Sequence, residues 1–194
     1  MRQVGQPDGY GTEHDGMIAY APGFVNLAGR GFRETHNMAW NIAIPHFGDL
    51  RIEHVLFDLN GTLACEGMIA PSTRQRLTAL GKRADLVVMS ADTHGTLATE
   101  CAGLPLRIHR VEEGPGSPQK LALLETLGAA RTVAVGNGRN DVEMLRAAAL
   151  GIAILGPEGA ARDALLASAV WFVAIDDALD SLLNPLRLVA TLRG

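Results

Sequence analysis

Apolar residues in this chain gather into short unbroken runs, and each of three runs ends on a polar group. Val55-Leu56-Phe57 leads into Asp58, Leu86-Val87-Val88-Met89 into Ser90, and Thr132-Val133-Ala134-Val135 into Gly136-Asn137-Gly138-Arg139-Asn140-Asp141. Runs this short and this evenly apolar read as strands buried on both faces. Residues 104–108 read as a weaker strand, and 152–155 and 170–174 as two more. Helical spacing fills the intervals. Pro71-Ser72 opens a helix that carries Leu77 and Leu80 and stops at Gly81. Residues 93–102 form a second. Ser117-Pro118 opens a third, with Ser117 as N-cap, Lys120 in the first turn, and Leu121, Leu124 and Leu127 as its buried stripe. A fourth begins at Asn140 or Asp141 and closes at Gly151, a fifth spans 160–167, and two short helices divided near Pro185 fill the tail. Strands alternating with helices predict an α/β fold with a doubly wound parallel sheet, Rossmann-type and three-layered.

Two segments depart from that alternation. Asn41 to Ile44 and Leu50 to Glu53 alternate in polarity around Pro45-His46-Phe47-Gly48-Asp49, which predicts a hairpin turning at Gly48-Asp49. Residues 1–37 are rich in glycine and polar groups and show neither a 2 nor a 3.6 period, so they read as an irregular or disordered extension. A second reading places them upstream of a native start at Met38, because Arg33-Glu34 can be encoded by a purine-rich ribosome-binding sequence. Residues 38–194 then form the one folded domain, a length that supports a good core.

Composition narrows the class. Apolar content of 47% with 20% charged residues is ordinary for a soluble globular protein, and the net charge of −4 offers no basic footprint for nucleic acid. No segment reaches the roughly 18 apolar residues of a membrane span, and the N-terminus lacks a signal-peptide pattern. Cys65 and Cys101 show neither pairing nor metal spacing. These features imply a cytoplasmic protein.

The polar groups that end the strands carry the chemistry. In an open α/β sheet, ligands bind at the carboxyl ends of the strands. Alone, Asp58 could be a turn former, Ser90 a strand-end hydroxyl, Lys120 a solvated lysine and Asp141 a helix-start carboxylate. Together, Asp58-x-Asn60-Gly61-Thr62-Leu63, an apolar run ending in Ser90, Lys120, and Gly136-Asn137-Gly138-x-Asn140-Asp141 resemble the haloacid dehalogenase (HAD) superfamily. Within it the pattern is most similar to the soluble P-type-ATPase-like group, from about Trp40 to the tail. The resemblance implies a phosphohydrolase with Asp58 as nucleophile, forming an aspartyl phosphate. It makes Ser90, Ala91 and the Asn60-Gly61 turn the phosphate cradle and Lys120 its point charge. It implies Mg²⁺ held by Asp58, the backbone carbonyl of Asn60, and the Asn137/Asp141 pair. His94 reads as a loop histidine with no assigned role. Leu63 to Ile69 would be the small flap beside the site.

Two positions depart from the superfamily's phosphatases. Asn60 stands where they carry a general acid/base Asp, and an amide cannot titrate in that range. Losing such help costs about 10²–10⁴-fold, so slow dephosphorylation is expected. Asn137 stands where many members have Asp, which should weaken Mg²⁺ binding. The intervals 58–90 and 90–120 are used up by the assigned elements, so no cap domain is expected. An uncapped site suits a macromolecular phosphosubstrate, or a small one enclosed by a neighbouring subunit of a homo-oligomer. Three rivals remain: a receiver-like phosphoacceptor, which lacks an acidic pair before Asp58; dinucleotide binding at Gly136-x-Gly138, which lacks a third glycine; and a non-catalytic phosphate-binding regulatory protein on the same scaffold.

Overall fold

A computed structural model of the chain describes residues 24–25, 40–92 and 95–194. The expectations for residues 1–37 and for His94 lie outside them, apart from Phe24 and Val25. Six strands run parallel: β4 (His54–Asp58), β5 (Asp85–Ser90), β6 (Leu106–Arg110), β7 (Thr132–Gly136), β8 (Leu150–Ile154) and β9 (Val170–Phe172). Their order is β6-β5-β4-β7-β8-β9, and β1 (Phe24–Val25) adds an antiparallel edge to β6. The order reverses at β4, so Asp58 ends the central strand where ligand crevices form in such sheets.

Both faces of this sheet are covered, which is why its strands read as unbroken apolar runs. Val55 and Phe57 of β4 and Val133 and Val135 of β7 pack on one side, against α1 (Pro71–Leu80), α2 (Leu97–Cys101), α6 (Ile175–Leu183) and α7 (Leu186–Leu192). Leu56, Val87, Met89 and Ala134 face the other way, against α3 (Gly116–Leu127), α4 (Val142–Ala147) and α5 (Arg162–Ala167). The hairpin β2 (Trp40–Ile44) and β3 (Gly48–Ile52) buries Ile42, Ile44, Leu50 and Ile52 in the first layer, where Val189 and Leu192 of α7 also pack. Among the described residues no helix is long and apolar enough to cross a membrane. Residues 59–70 link β4 to α1, and 111–115 link β6 to α3, so neither crossover carries a cap domain.

Several local expectations need correction. The hairpin turns at Pro45-His46-Phe47, not at Gly48-Asp49: His46 adopts a φ of +65°, and Gly48 already pairs with Ile44. The third helix starts at Gly116, with Pro115 as N-cap; Ser117 lies inside it and donates to Glu143 Oε2 at 2.8 Å. Helix α2 begins at Leu97, whose N–H is taken by Asp92 Oδ1 at 2.9 Å. Gly151 does not close a helix. It sits inside β8, where any Cβ would collide with the carbonyl of Leu145.

Candidate active site

The loop after β4 turns at once because Gly61 takes a φ of +76°. Its N–H donates to the carbonyl of Ala64 at 2.8 Å, and the N–H of Ala64 returns to the carbonyl of Leu59 at 2.8 Å. What Gly61 contributes most directly is space: a Cβ there would overlap the side-chain amide of Asn137. The chain then makes a tight two-residue turn at Glu66 and Gly67, both at positive φ, with Cys65 and Met68 exchanging backbone bonds at 3.0 Å. This is the segment for which a flap was expected. Its Gly67 carbonyl accepts the Thr96 hydroxyl, and its Glu66 N–H donates to Glu158.

Beneath this segment lies a buried ion triad. Lys120 Nζ is 2.6 Å from Asp58 Oδ1 and 2.6 Å from Asp141 Oδ1. The three groups come from three separate elements, and the lysine is 1% exposed. Burial pushes the Asp58 carboxyl up from 3.8 to about 6, against the pull of Lys120 and with repulsion from Asp141 added. Burial acts to lower the Lys120 pKa, but Asp58 and Asp141 together hold it above its ordinary value. With Asp58 ionised, the triad carries one net negative charge.

Asp141 has both oxygens engaged: Oδ2 accepts the N–H groups of Asn137 at 3.0 Å and Gly138 at 2.8 Å. Gly136 makes this possible, because a Cβ there would sit 2.5 Å from the Asp141 carboxyl carbon. Asn137 is oriented from both sides. Its Oδ1 accepts the Thr62 hydroxyl at 3.2 Å, and its Nδ2 donates to the Gly159 carbonyl at 3.0 Å. Asn60 Oδ1 is buried and unpaired. Ser90 ends the strand next to β4 and is buried; its Oγ accepts the Asp92 N–H at 3.0 Å, leaving its own proton to donate. Ala91 follows it at the exposed end of the strand.

The structure thus joins Asp58, Lys120 and Asp141 directly and brings Asn137 and Gly61 to them. Ser90 and Ala91 lie at the adjacent strand end. Thr62 and Gly159 were given no role by sequence reasoning. Thr62 lies inside the first motif and could have been suspected there; a backbone carbonyl 22 residues beyond Asn137 leaves no signal in residue type.

Oxygens that could serve a cation are those of the Asp58 carboxylate, the main-chain carbonyl of Asn60 and Asn137 Oδ1. Among the described residues no three His, Cys, Asp or Glu side chains gather as a metal site. One carboxylate plus neutral oxygens nevertheless fits a hard cation such as Mg²⁺, which keeps several waters and needs few protein ligands. Of the Asn137/Asp141 pair, Asn137 offers the more available oxygen, because Asp141 is consumed by Lys120 and two N–H groups.

No family model matches the chain. An uncharacterized protein of Methanocaldococcus jannaschii is 40% identical over 92 residues, which span 45% of this chain and 99% of that protein. A second uncharacterized protein of that organism is 49% identical over 39 residues, 20% of this chain and 89% of its own length. Among solved structures, the 3-deoxy-D-manno-octulosonate 8-phosphate phosphatase of Moraxella catarrhalis, crystallised with magnesium, phosphate and KDO, matches at a TM-score of 0.55. It is 16% identical, covering 73% of this chain and 94% of that one. A protein assigned to the HAD-family hydrolases from Streptomyces avermitilis matches at 0.53 with 17% identity, over 73% and 84% of the two chains. The cobalt-bound deoxy-D-mannose-octulosonate 8-phosphate phosphatase of Haemophilus influenzae matches at 0.53 with 12% identity, over 72% and 90%. At these identities the likeness is one of fold.

Proposed function

We propose that this chain, which shares its fold with solved haloacid dehalogenase hydrolases, is a member of that superfamily and a Mg²⁺-dependent phosphohydrolase working through an aspartyl phosphate on Asp58. The observation that carries the reading is Lys120 held between Asp58 and Asp141 at 2.6 Å from each, at the carboxyl end of the central strand. A buried cation there answers the negative charge that gathers when a carboxylate meets a phosphoryl group.

Each residue then has a part. Lys120 holds Asp58 Oδ1 and so orients the carboxylate that attacks phosphorus; the bond from phosphorus to the leaving oxygen breaks as the new P–O bond forms, and the leaving oxygen takes its proton from solvent. Near neutral pH the carboxyl is mostly ionised, since its pKa is about 6. Ser90 donates its hydroxyl proton to a phosphoryl oxygen. Asp58, Asn137 and the Asn60 carbonyl would hold the cation, whose charge offsets that of the phosphoryl oxygens. In the second half, water attacks phosphorus, the bond to Asp58 breaks, and phosphate leaves. Asn60 cannot take the water's proton, which passes to bulk solvent instead, so this half is slow. A slow second half would fit the soluble P-type-ATPase-like group.

A second reading, a phosphoacceptor or phosphate-binding regulator without turnover, rests on the same Asn60. The test is incubation with Mg²⁺ and acetyl phosphate, read by intact mass. An adduct that persists, is missing in Asp58→Ala and turns over about 10²–10⁴-fold faster in Asn60→Asp supports the enzyme. An adduct that no variant hydrolyses supports the regulator, and its absence at saturating Mg²⁺ removes the aspartyl-phosphate chemistry.

A further inference from the structure

Resting on that reading, we propose that Arg110 is a specificity-determining residue that takes a second anionic group of the substrate, making the substrate a small phosphomonoester that also carries a carboxylate or a second phosphate. Arg110 ends β6 and lies opposite Ser90 in the parallel register. Two strand spacings separate it from β4, about 10 Å across the mouth of the site. Its guanidinium is 3.1 Å from Asp92 Oδ2, and its side chain is 56% exposed. Among the described residues Asp92 is its one carboxylate partner, so part of the guanidinium fork remains for a ligand.

Asp92 is the reason this is more than a surface ion pair. It adopts a φ of +54°, a region that side-chain-bearing residues rarely use. Three bonds hold it there: its N–H donates to Ser90 Oγ, its Oδ1 accepts the Leu97 N–H, and its Oδ2 takes Arg110. The next residue after Arg110 also binds the Ser90 carbonyl, through the Val111 N–H at 3.0 Å. The hydroxyl assigned to the phosphoryl group and the guanidinium are thus fixed to one another through one residue, Asp92, by its N–H and its carboxylate. An arginine planted this way recognises planar or tetrahedral anions with two donors at once. Another exposed cation, Arg139, lies 4.0 Å from Asp163, and among the described residues it has no such tie to Ser90.

Three probes share one sugar-phosphate length: glucose 6-phosphate, 6-phosphogluconate, which adds a distal carboxylate, and glucose 1,6-bisphosphate, which adds a distal phosphate. Calorimetry with the full chain and Mg²⁺ should show one of the latter two binding at least about tenfold tighter than glucose 6-phosphate. Which one it is identifies the second anion. Arg110→Gln should collapse that ratio to near one, and Arg110→Lys should keep part of it. Equal affinities for all three probes, no binding of any of them, or a ratio that survives Arg110→Gln overturns the assignment. Acetyl phosphate carries no second anion, so adduct formation on Asp58 of the unaltered chain reports the phosphohydrolase reading separately. An adduct without probe discrimination removes Arg110 alone; discrimination without an adduct leaves a binding site and removes the enzyme.

Discussion

The hydroxyl of Thr62 donates to Oδ1 of Asn137 at 3.2 Å, tying the loop after β4 to the loop after β7. Asn137 Nδ2 donates to Gly159, so the amide has one orientation, with its oxygen toward Thr62. A carbonyl oxygen has two lone pairs, and one remains for a cation. Thr62→Val should therefore loosen the amide and weaken Mg²⁺ binding by about 1 kcal/mol, roughly fivefold, while Thr62→Ser should restore it. Calorimetric titration of Mg²⁺ decides: equal affinity in Val and Ser variants would mean that Asn137 does not ligate.

Asp58 sets a pH dependence whose sign is fixed by its burial. Its folded pKa of about 6 lies above the unfolded 3.8, so the folded protein binds this proton more tightly. The stability Asp58 contributes is complete below its unfolded pKa and is lost as pH rises through the folded value. Urea melts should show the wild type losing stability against Asp58→Asn across that window. Phosphorylation needs the carboxylate, so its rate should show an acid limb near the same folded pKa. Mg²⁺ favours the ionised form and should move that limb lower. A rate that is flat from pH 5 to 7 at low Mg²⁺ would count against Asp58 as nucleophile.

Much of this fold was written in residue order. The six parallel strands follow from apolar runs buried on both faces, and Asp58 and Asp141, which end their elements, meet Lys120, the fifth residue of α3, at the same edge of one sheet. Residues whose constraint comes from a distant partner were not legible. Gly151 looks like a helix stop until Leu145 is seen against it. Gly48-Asp49 looks like the hairpin turn until His46 is found at positive φ two residues earlier. The link from Asp92 to both Ser90 and Arg110 needed the strand register, which a single sequence does not state.

The Lys120 triad should cost heavily when broken from one side. Lys120→Met leaves Asp58 and Asp141 facing each other in a buried site. Removing one partner of a buried ion pair costs roughly 3–5 kcal/mol. Asp58→Asn added to Lys120→Met removes one of the stranded charges, so the double variant should recover part of that loss, a non-additivity that denaturant melts at pH 7 resolve. Single and double variants of equal stability would show that the two carboxylates do not repel across the empty lysine position. The adduct from acetyl phosphate should be absent in both.

Glycines offer a test that separates packing at the site from backbone strain. Gly136 sits in a strand without positive φ, yet a Cβ there would lie 2.5–2.7 Å from the Asp141 side chain. Gly103 has a φ of +74° and open space around it. Gly136→Ala should push Asp141 away from Lys120 and abolish adduct formation, with an overpacking cost of about 1–3 kcal/mol. Gly103→Ala should cost about 1 kcal/mol through strain alone and leave adduct formation intact. Thermal melts and intact mass on the two variants read both effects. If Gly136→Ala forms the adduct at the wild-type rate, the contact between Lys120 and Asp141 is dispensable for the chemistry, and Asp141 serves only to order the Asn137-Gly138 loop.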